Sequence, residues 1–265
     1  MTVLRRFIAD RRRSLGWSTL ASAAVVALSA GFYPVIRDQP AFADLIESLP
    51  ESLQSFVGTS GGASILSPAG YLHTRHFSTL LPIVLLSFGI GLGARAIAGA
   101  EEDGMLELML AQPVTRARLA AERFGGLTLL VLGLAAASAA LLIALAPVTG
   151  LLDGPSVLDL FEAHMVVAVM GLVHAWVAFG VGAATGRRTV AVAAGSALAV
   201  SGYLFNGLVG AAPSLRSLRF VTPWYWYLHD NAVQTGVRPV HGFWVATALA
   251  AAAAGGAMFV RRDLR

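Results

Sequence analysis

Fifteen carboxylates and six histidines stand in a chain of 265 residues that has neither lysine nor cysteine. All nineteen basic residues are arginine. Without lysine, the GxxxxGK[ST] loop that reaches nucleotide phosphates cannot be built, and a Schiff base is excluded. Without cysteine there is no disulfide, thiolate metal site or thiol nucleophile. The sequence contains no HExxH and no GxSxG, so the zinc and serine hydrolase signatures are missing too. Two histidines fall in one apolar run: His174 near its middle and His164 near one end. An ionisable group at mid-bilayer is a functional candidate by default, and the alternative is a neutral ring bonded to a neighbouring helix. Asn206, in the next apolar run, is either a ligand on a transport path or a hydrogen-bonding link between helices.

The carboxylates are concentrated in AEEDGMLELMLAQP, residues 100–113. Asp103 is suited to cap a helix start, with Gly104 permitting a tight turn just before it. Residues 105–111 are fair helix formers and Pro113 stops continuation, which predicts a helix of about two turns. Met105, Leu106, Met109 and Leu110 form its apolar side, and Glu107 lies on another face. Glu101, Glu102 and Glu107 would edge whatever part of that side stays uncovered. From the residues alone, the stretch is either a small docking surface with charged edges or a connector resting on the bilayer.

The elements around this stretch are membrane spans. Hydrophobic residues make up 56% of the chain and charged residues 13%, with mean hydropathy +0.70. Soluble domains carry about a quarter charged residues. Six apolar runs approach the ~20 residues needed to cross ~30 Å of hydrocarbon: 15–36, 77–100, 124–146, 161–185, 189–212 and 242–260. With both termini inside, fourteen arginines fall on the cytoplasmic side. Only Arg37, Arg75, Arg216, Arg219 and Arg238 fall outside. The net charge of +4 therefore concerns orientation rather than nucleic acid. The arginine-rich start leads into a span followed by PVIRDQP, without a small-residue cleavage site, so no cleavable signal is expected.

Three flanking segments carry further expectations. Residues 1–14 suit a short helix at the inner membrane interface, through Leu4, Phe7 and Ile8, or else a basic tail that only fixes topology. The external segment 37–76 reads as two short amphipathic helices broken at Pro50, with Phe42, Leu45, Ile46, Leu49, Leu53 and Phe56 on their apolar sides. In the external segment 213–241, Trp224, Tyr225, Trp226 and Tyr227 suit an aromatic belt at headgroup level better than a substrate contact. Arg95 is expected to snorkel to the inner interface. The glycine pairs Gly89/Gly93 and Gly182/Gly186 permit close helix approach, within the bundle or at a dimer seam.

Residues 93–124, GARAIAGAEEDGMLELMLAQPVTRARLAAERF, resemble the intracellular loop of type-2 ABC transporter permeases. Glu101 and Glu102 match the acidic pair, Gly104 the glycine, Leu106 and Glu107 the Leu-Glu pair. Leu110 and Pro113 match the helix end, and Arg116 and Arg118 the basic followers. LPESLQSFVG, SPAGYLHTRHFSTLLP, LRSLRFVTPWYWY and the ending FVRRDLR are similar to other family segments, in the same order. Met105 replaces the usual threonine, which leaves the capping of this helix to Asp103, and Thr222 replaces a common serine before Pro223.

The resemblance implies an all-α polytopic membrane protein, one permease domain over 1–265 with a coupling helix in the 101–118 loop between spans two and three. It also implies a groove on a separate ATP-hydrolysing subunit that receives Glu101, Glu102, Gly104, Met105, Leu106, Glu107, Leu110 and Pro113. Two such ATPases and a second permease, identical or a sister chain, are expected in the cytoplasmic membrane. ATP and magnesium would sit on the partner, and this chain would hold no metal or cofactor and would not be an enzyme. An amphiphilic cargo (drug, antibiotic or lipid-like) is the expectation. The alternatives are an ion-coupled transporter using His174, which has no mid-span carboxylate to help it, and an integral membrane enzyme.

Overall fold

The computed structural model describes residues 3–50, 53, 64–211, 217, 218 and 220–263. Six helices in it are long and apolar enough to cross a membrane, and no strand occurs among the described residues. A short helix α1 (Val3–Asp10) precedes the first span α2 (Arg12–Arg37), and α3 (Pro40–Glu47) follows it. The second span α4 (Pro68–Glu102), the two-turn helix α5 (Met105–Leu110), and the spans α6 (Arg116–Thr149) and α7 (Val157–Thr185) come next. The span α8 (Arg188–Ala211), the short helices α9 (Pro223–Leu228) and α10 (Ala232–Thr235), and the last span α11 (Pro239–Arg261) complete the order. Successive spans run antiparallel. The described termini and the turns at 103–115 and 186–187 thus share one end of the bundle.

The seventh helix is the axis. It is the most buried span, and α4, α6, α8 and α11 all pack around it. Small residues let backbones meet there, which is how spans associate where lipid is as apolar as a side chain. A Cβ on Gly89 of α4 would stand 2.9 Å from the Gly171 carbonyl of α7, and one on Gly93 would overlap the Ala175 carbonyl. Gly182 packs toward Ala98 of α4 and Ala191 of α8, while Gly186 ends α7. Both glycine pairs therefore work inside the bundle. A third crossing, Gly180 against Gly255 of α11, was hidden in an alanine-rich stretch with no distinctive spacing.

The second span begins at Pro68, nine residues before the 77 expected from hydropathy. His73, Arg75 and His76 depressed the hydropathy of those turns, yet the helix buries both histidines and turns only Arg75 outward. Residues Leu72–Leu80 form a π-helix, as do Arg95–Gly99. Pro82 lies just past the first of these. Its ring has no N–H to donate and crowds the carbonyl four residues earlier, a local cause for the widened turns.

Outside the spans, one expectation is met as far as the described residues reach, and one is revised. The first external helix forms as α3, but the second falls on residues outside those described, Leu53 excepted. The aromatic quartet is not a belt: Trp224, Tyr225 and Tyr227 are buried, and only Trp226 is partly exposed. Thr222 caps α9 by accepting from the Tyr225 N–H at 3.3 Å, with Pro223 in the first turn. The capped turn then aims the Tyr227 hydroxyl inward, where it donates to the Phe77 carbonyl. Burial pushes the Tyr227 phenol well above its ordinary pKa, so it remains a donor. Periodicity alone could not tell a headgroup-facing aromatic run from one folded back on the bundle.

Candidate functional site

The 100–116 stretch forms a rigid corner. Gly104 adopts the left-handed conformation, φ +66, and occupies the position before α5 with no side-chain cap. Asp103 does not cap the helix, contrary to expectation. Its backbone closes the preceding turn instead, through its N–H to the Gly99 carbonyl at 3.0 Å. The chain reverses at a residue without a Cβ, so neither the absent threonine nor Asp103 is needed.

Leu106 anchors α5. It is 1% exposed and belongs to the central apolar cluster, while Met109 and Leu110 are half-buried against the same cluster. Met105 is 37% exposed, and Leu108 63%. The apolar side was expected to comprise Met105, Leu106, Met109 and Leu110. In the fold, Leu106, Met109 and Leu110 hold the helix down, and Met105 and Leu108 point away with Glu107. Leu108 was missed because four leucine or methionine neighbours in six residues give no unique face. Only the direction of entry fixed by Gly104 selects one. Pro113 is exposed in the exit turn, after which Thr115 caps α6 by accepting from the Arg118 N–H at 3.2 Å.

Charge ties this corner to the rest of the bundle. Glu101 receives the Arg262 guanidinium in a two-pronged pair, Nη1 to Oε1 at 2.8 Å and Nη2 to Oε2. The side chains are 6% and 17% exposed. The Arg262 Nε–H also donates to the Ala183 carbonyl at 3.0 Å, and the Arg116 Nη1–H donates to the Arg262 carbonyl at 2.6 Å. The chain end, the α7 terminus and the start of α6 are thus fastened at one carboxylate. Glu102 accepts from the Arg188 backbone N–H at 2.8 Å, at the start of α8. The two glutamates accordingly serve different helices, and Glu101 faces inward.

A second tie runs beneath α5. Arg123 is buried; it donates to the Ala96 carbonyl and, at 2.7 Å, to the Met109 sulfur. Its guanidinium lies 5.7 Å from the Phe7 ring centre, and Arg11 lies 5.5 Å from the same ring. Helix α1 is therefore docked on α6, with Phe7 buried and the Leu4 N–H held by Glu122 at 2.9 Å. Its arginines made it read as interfacial, and its one buried aromatic gives it a definite seat.

The two mid-span candidates do not join this site. His174 is fully buried, its Nδ1 2.8 Å from the Met170 carbonyl one turn earlier, and its Nε2 has no partner. Asn206 is half-buried on α8. Near the opposite end, sequence reading missed a histidine layer: the His76 and His164 rings are 5.6 Å apart, and the His76 Nδ1 meets the Ser29 hydroxyl at 3.0 Å. Among the described residues, no cluster of three or more His, Asp or Glu side chains has the arrangement to hold a metal.

What the corner can do is mechanical. It presents a short outward face on a helix fastened through ion pairs and a buried leucine to α4, α6, α7, α8 and α11. No curated protein sequence matches the chain. A family model described as ABC-2 family transporter protein matches residues 2–229, from α1 through the capped aromatic turn. With six membrane-length helices and a family match over most of its length, this multi-pass membrane protein belongs to the ABC-2 transporter family.

Proposed function

We propose that the chain is the membrane-spanning subunit of an ATP-driven exporter, working as one of two permeases with two separate ATPase subunits in the cytoplasmic membrane. The observation that supports this most is the division of labour on α5: Leu106 is sealed into the bundle while Met105, Glu107 and Leu108 face out. A helix held this way transmits force in both directions. ATP binding by the partners would move α5, and the ties at Glu101, Glu102 and Arg123 would pass that movement to the spans. For such coupling the docked subunit must favour one conformation of the spans over another.

The arginine distribution supports the cytoplasmic assignment of this end and of both termini. The ATP and magnesium site would lie on the partner, because this chain has no lysine for a phosphate loop. An amphiphilic cargo suits the apolar bundle.

Co-purification with a co-expressed ABC-type ATPase tests the reading. Leu108→Arg, which puts a charge on an exposed apolar position, is expected to insert normally and lose at least about tenfold in ATPase affinity. Leu110→Arg is less clean, since Leu110 is half-buried and its replacement also loosens α5. Equal recovery of ATPase with the wild type and Leu108→Arg would show that α5 is a connector.

A further inference from the structure

A groove runs along the outside of the bundle where α2, α4 and α8 diverge, and it is built to hold a charged head above an apolar tail. At the end that carries the termini it encloses about 510 Å³, and Arg11, Arg95 and Arg188 converge on its rim. None of the three side chains has a carboxylate partner within salt-bridge distance among the described residues, and the Arg11 Nε is buried without any hydrogen-bond partner. Burial, then repulsion from Arg95, lowers the Arg11 pKa from its ordinary value, with a smaller push from Arg188. Asp10 and Asp103 raise it without cancelling the shift. Three cations on one rim beside a cavity, with Asp10, Asp103 and Glu102 nearby but no carboxylate in salt-bridge contact with their side chains among the described residues, suit an anion.

Below the rim the lining is mainly apolar, with Trp17, Ile83, Val84, Phe88 and Val192, and the hydroxyls of Ser14, Ser18 and Ser87 lie among them. From Arg95 to Ile83 is twelve residues of helix, about 18 Å, close to the ~15 Å of one leaflet's hydrocarbon. The groove is open to the side, and Trp17 at its mouth is 73% exposed. A second hollow of about 590 Å³ shares Ile83, Ser87, Gly91 and Val192 with the first and continues to Tyr203 and Trp224. A small anion would fill the rim and leave this apolar length uncovered. A second copy of the chain would bring its own arginine-rich end alongside these arginines.

We propose that this groove binds an anionic phospholipid of the adjacent leaflet, with its phosphate on Arg11, Arg95 and Arg188 and an acyl chain along α2, α4 and α8. The permease reading enters only in assigning that leaflet to the cytoplasmic side and in making lipid-like anions the first cargo class to test. The site itself belongs to this chain alone.

Native mass spectrometry of the detergent-purified chain, without any ATPase, tests it with dioleoyl phosphatidylglycerol, dioleoyl phosphatidylcholine and inorganic phosphate as probes. The wild type is expected to retain one phosphatidylglycerol, at least about tenfold more tightly than phosphatidylcholine. The pair Arg95→Gln and Arg188→Gln should lose that preference, and the equally charged control Arg187→Gln with Arg261→Gln should keep it. Gly91→Phe fills the groove from a position where a Cβ meets nothing within 4 Å, and should expel the lipid with all arginines in place. Equal loss in the control pair would mean diffuse charge and overturn the proposal. Equal binding of phosphatidylcholine, displacement of the lipid by inorganic phosphate, or a dimer that excludes lipid would each overturn it as well. Because no ATPase is present, failure here leaves the docking assignment of α5 untouched, and failure of that assignment leaves this result standing.

Discussion

At the end that carries the termini, connections between helices are made by charge. Glu101 grips Arg262, Glu102 holds the start of α8, Arg123 spans Ala96 and Met109, and Glu122 receives the start of α1. Toward the opposite end the buried ties are neutral, and the ion pair of Arg238 with Asp230 is partly exposed. Tyr33 and Tyr71 donate to the carbonyls of Leu66 and Ser29, Ser29 meets His76, Tyr227 donates to Phe77, and Asn231 donates to Ala69. Neutral hydrogen bonds between buried groups hold that layer together, because breaking one leaves another unpaired polar atom in a dry setting. Charge-assisted pairs such as Glu101 with Arg262, largely enclosed, tie elements strongly in one geometry. On the permease reading proposed above, the end that would dock the ATPase is the end fastened by charge.

The largest effect is expected where a single carboxylate serves three elements. Glu101→Ala leaves the Arg262 guanidinium enclosed beside Ala183 and Gly186 without its counter-charge, and breaking a buried pair from one side costs about 3–5 kcal/mol. Thermal unfolding in detergent should show that loss. Arg262→Ala added to Glu101→Ala should recover part of it, since no charge then remains buried. The Arg118–Glu122 pair is the internal standard: Arg118 is solvent-exposed, and its replacement by alanine should cost far less. If Glu101→Ala costs no more than Arg118→Ala, charge does not hold this end together and the contrast between the two ends collapses.

A smaller effect separates anchor from contact within α5. Leu106→Ala removes a fully buried side chain and is expected to cost about 3 kcal/mol, whereas Leu108→Ala, on an exposed position, should stay within about 0.5 kcal/mol. The two leucines are two residues apart on one short helix, so helix propensity cannot explain a difference between them. Similar melting temperatures for the two variants would mean that α5 does not sit as described.

How much of this could be read from the sequence depended on whether a local pattern had one solution. The spans could be read because a run of about twenty apolar residues has no other stable fate. Gly104 as a turn, the short helix after it and the basic followers could also be read locally. The direction of that helix's apolar face could not, because MLELML offers apolar residues on nearly every side and only the tertiary seat of Leu106 decides. Glu101 and Glu102 look alike in sequence, and their different partners lie 161 and 86 residues away. The early start of α4 was masked because buried histidines count as polar in hydropathy, although here the bundle enclosed them. The groove at Arg11, Arg95 and Arg188 joins three distant helices, so no window along the chain contains it.

The finest test sets equal chemistry at the two ends. Thr115 and Thr222 each cap a helix through the same contact, a hydroxyl accepting from the N–H three residues on, at 3.2 and 3.3 Å. Replacing either by alanine should cost about 1 kcal/mol, so the variants should be indistinguishable in a melt. They should part in function. Thr115→Ala loosens the exit of the α5 corner and is expected to lower ATPase stimulation by the assembled permease, while Thr222→Ala disturbs only the neutral layer and should leave it unchanged. Because the stability losses match, a difference in stimulation must come from where the loosening occurs. A fall of the same size in both would trace coupling to bulk stability of the bundle, and the distinction between an end fastened by charge and an end with neutral buried ties would then describe bonding without describing work.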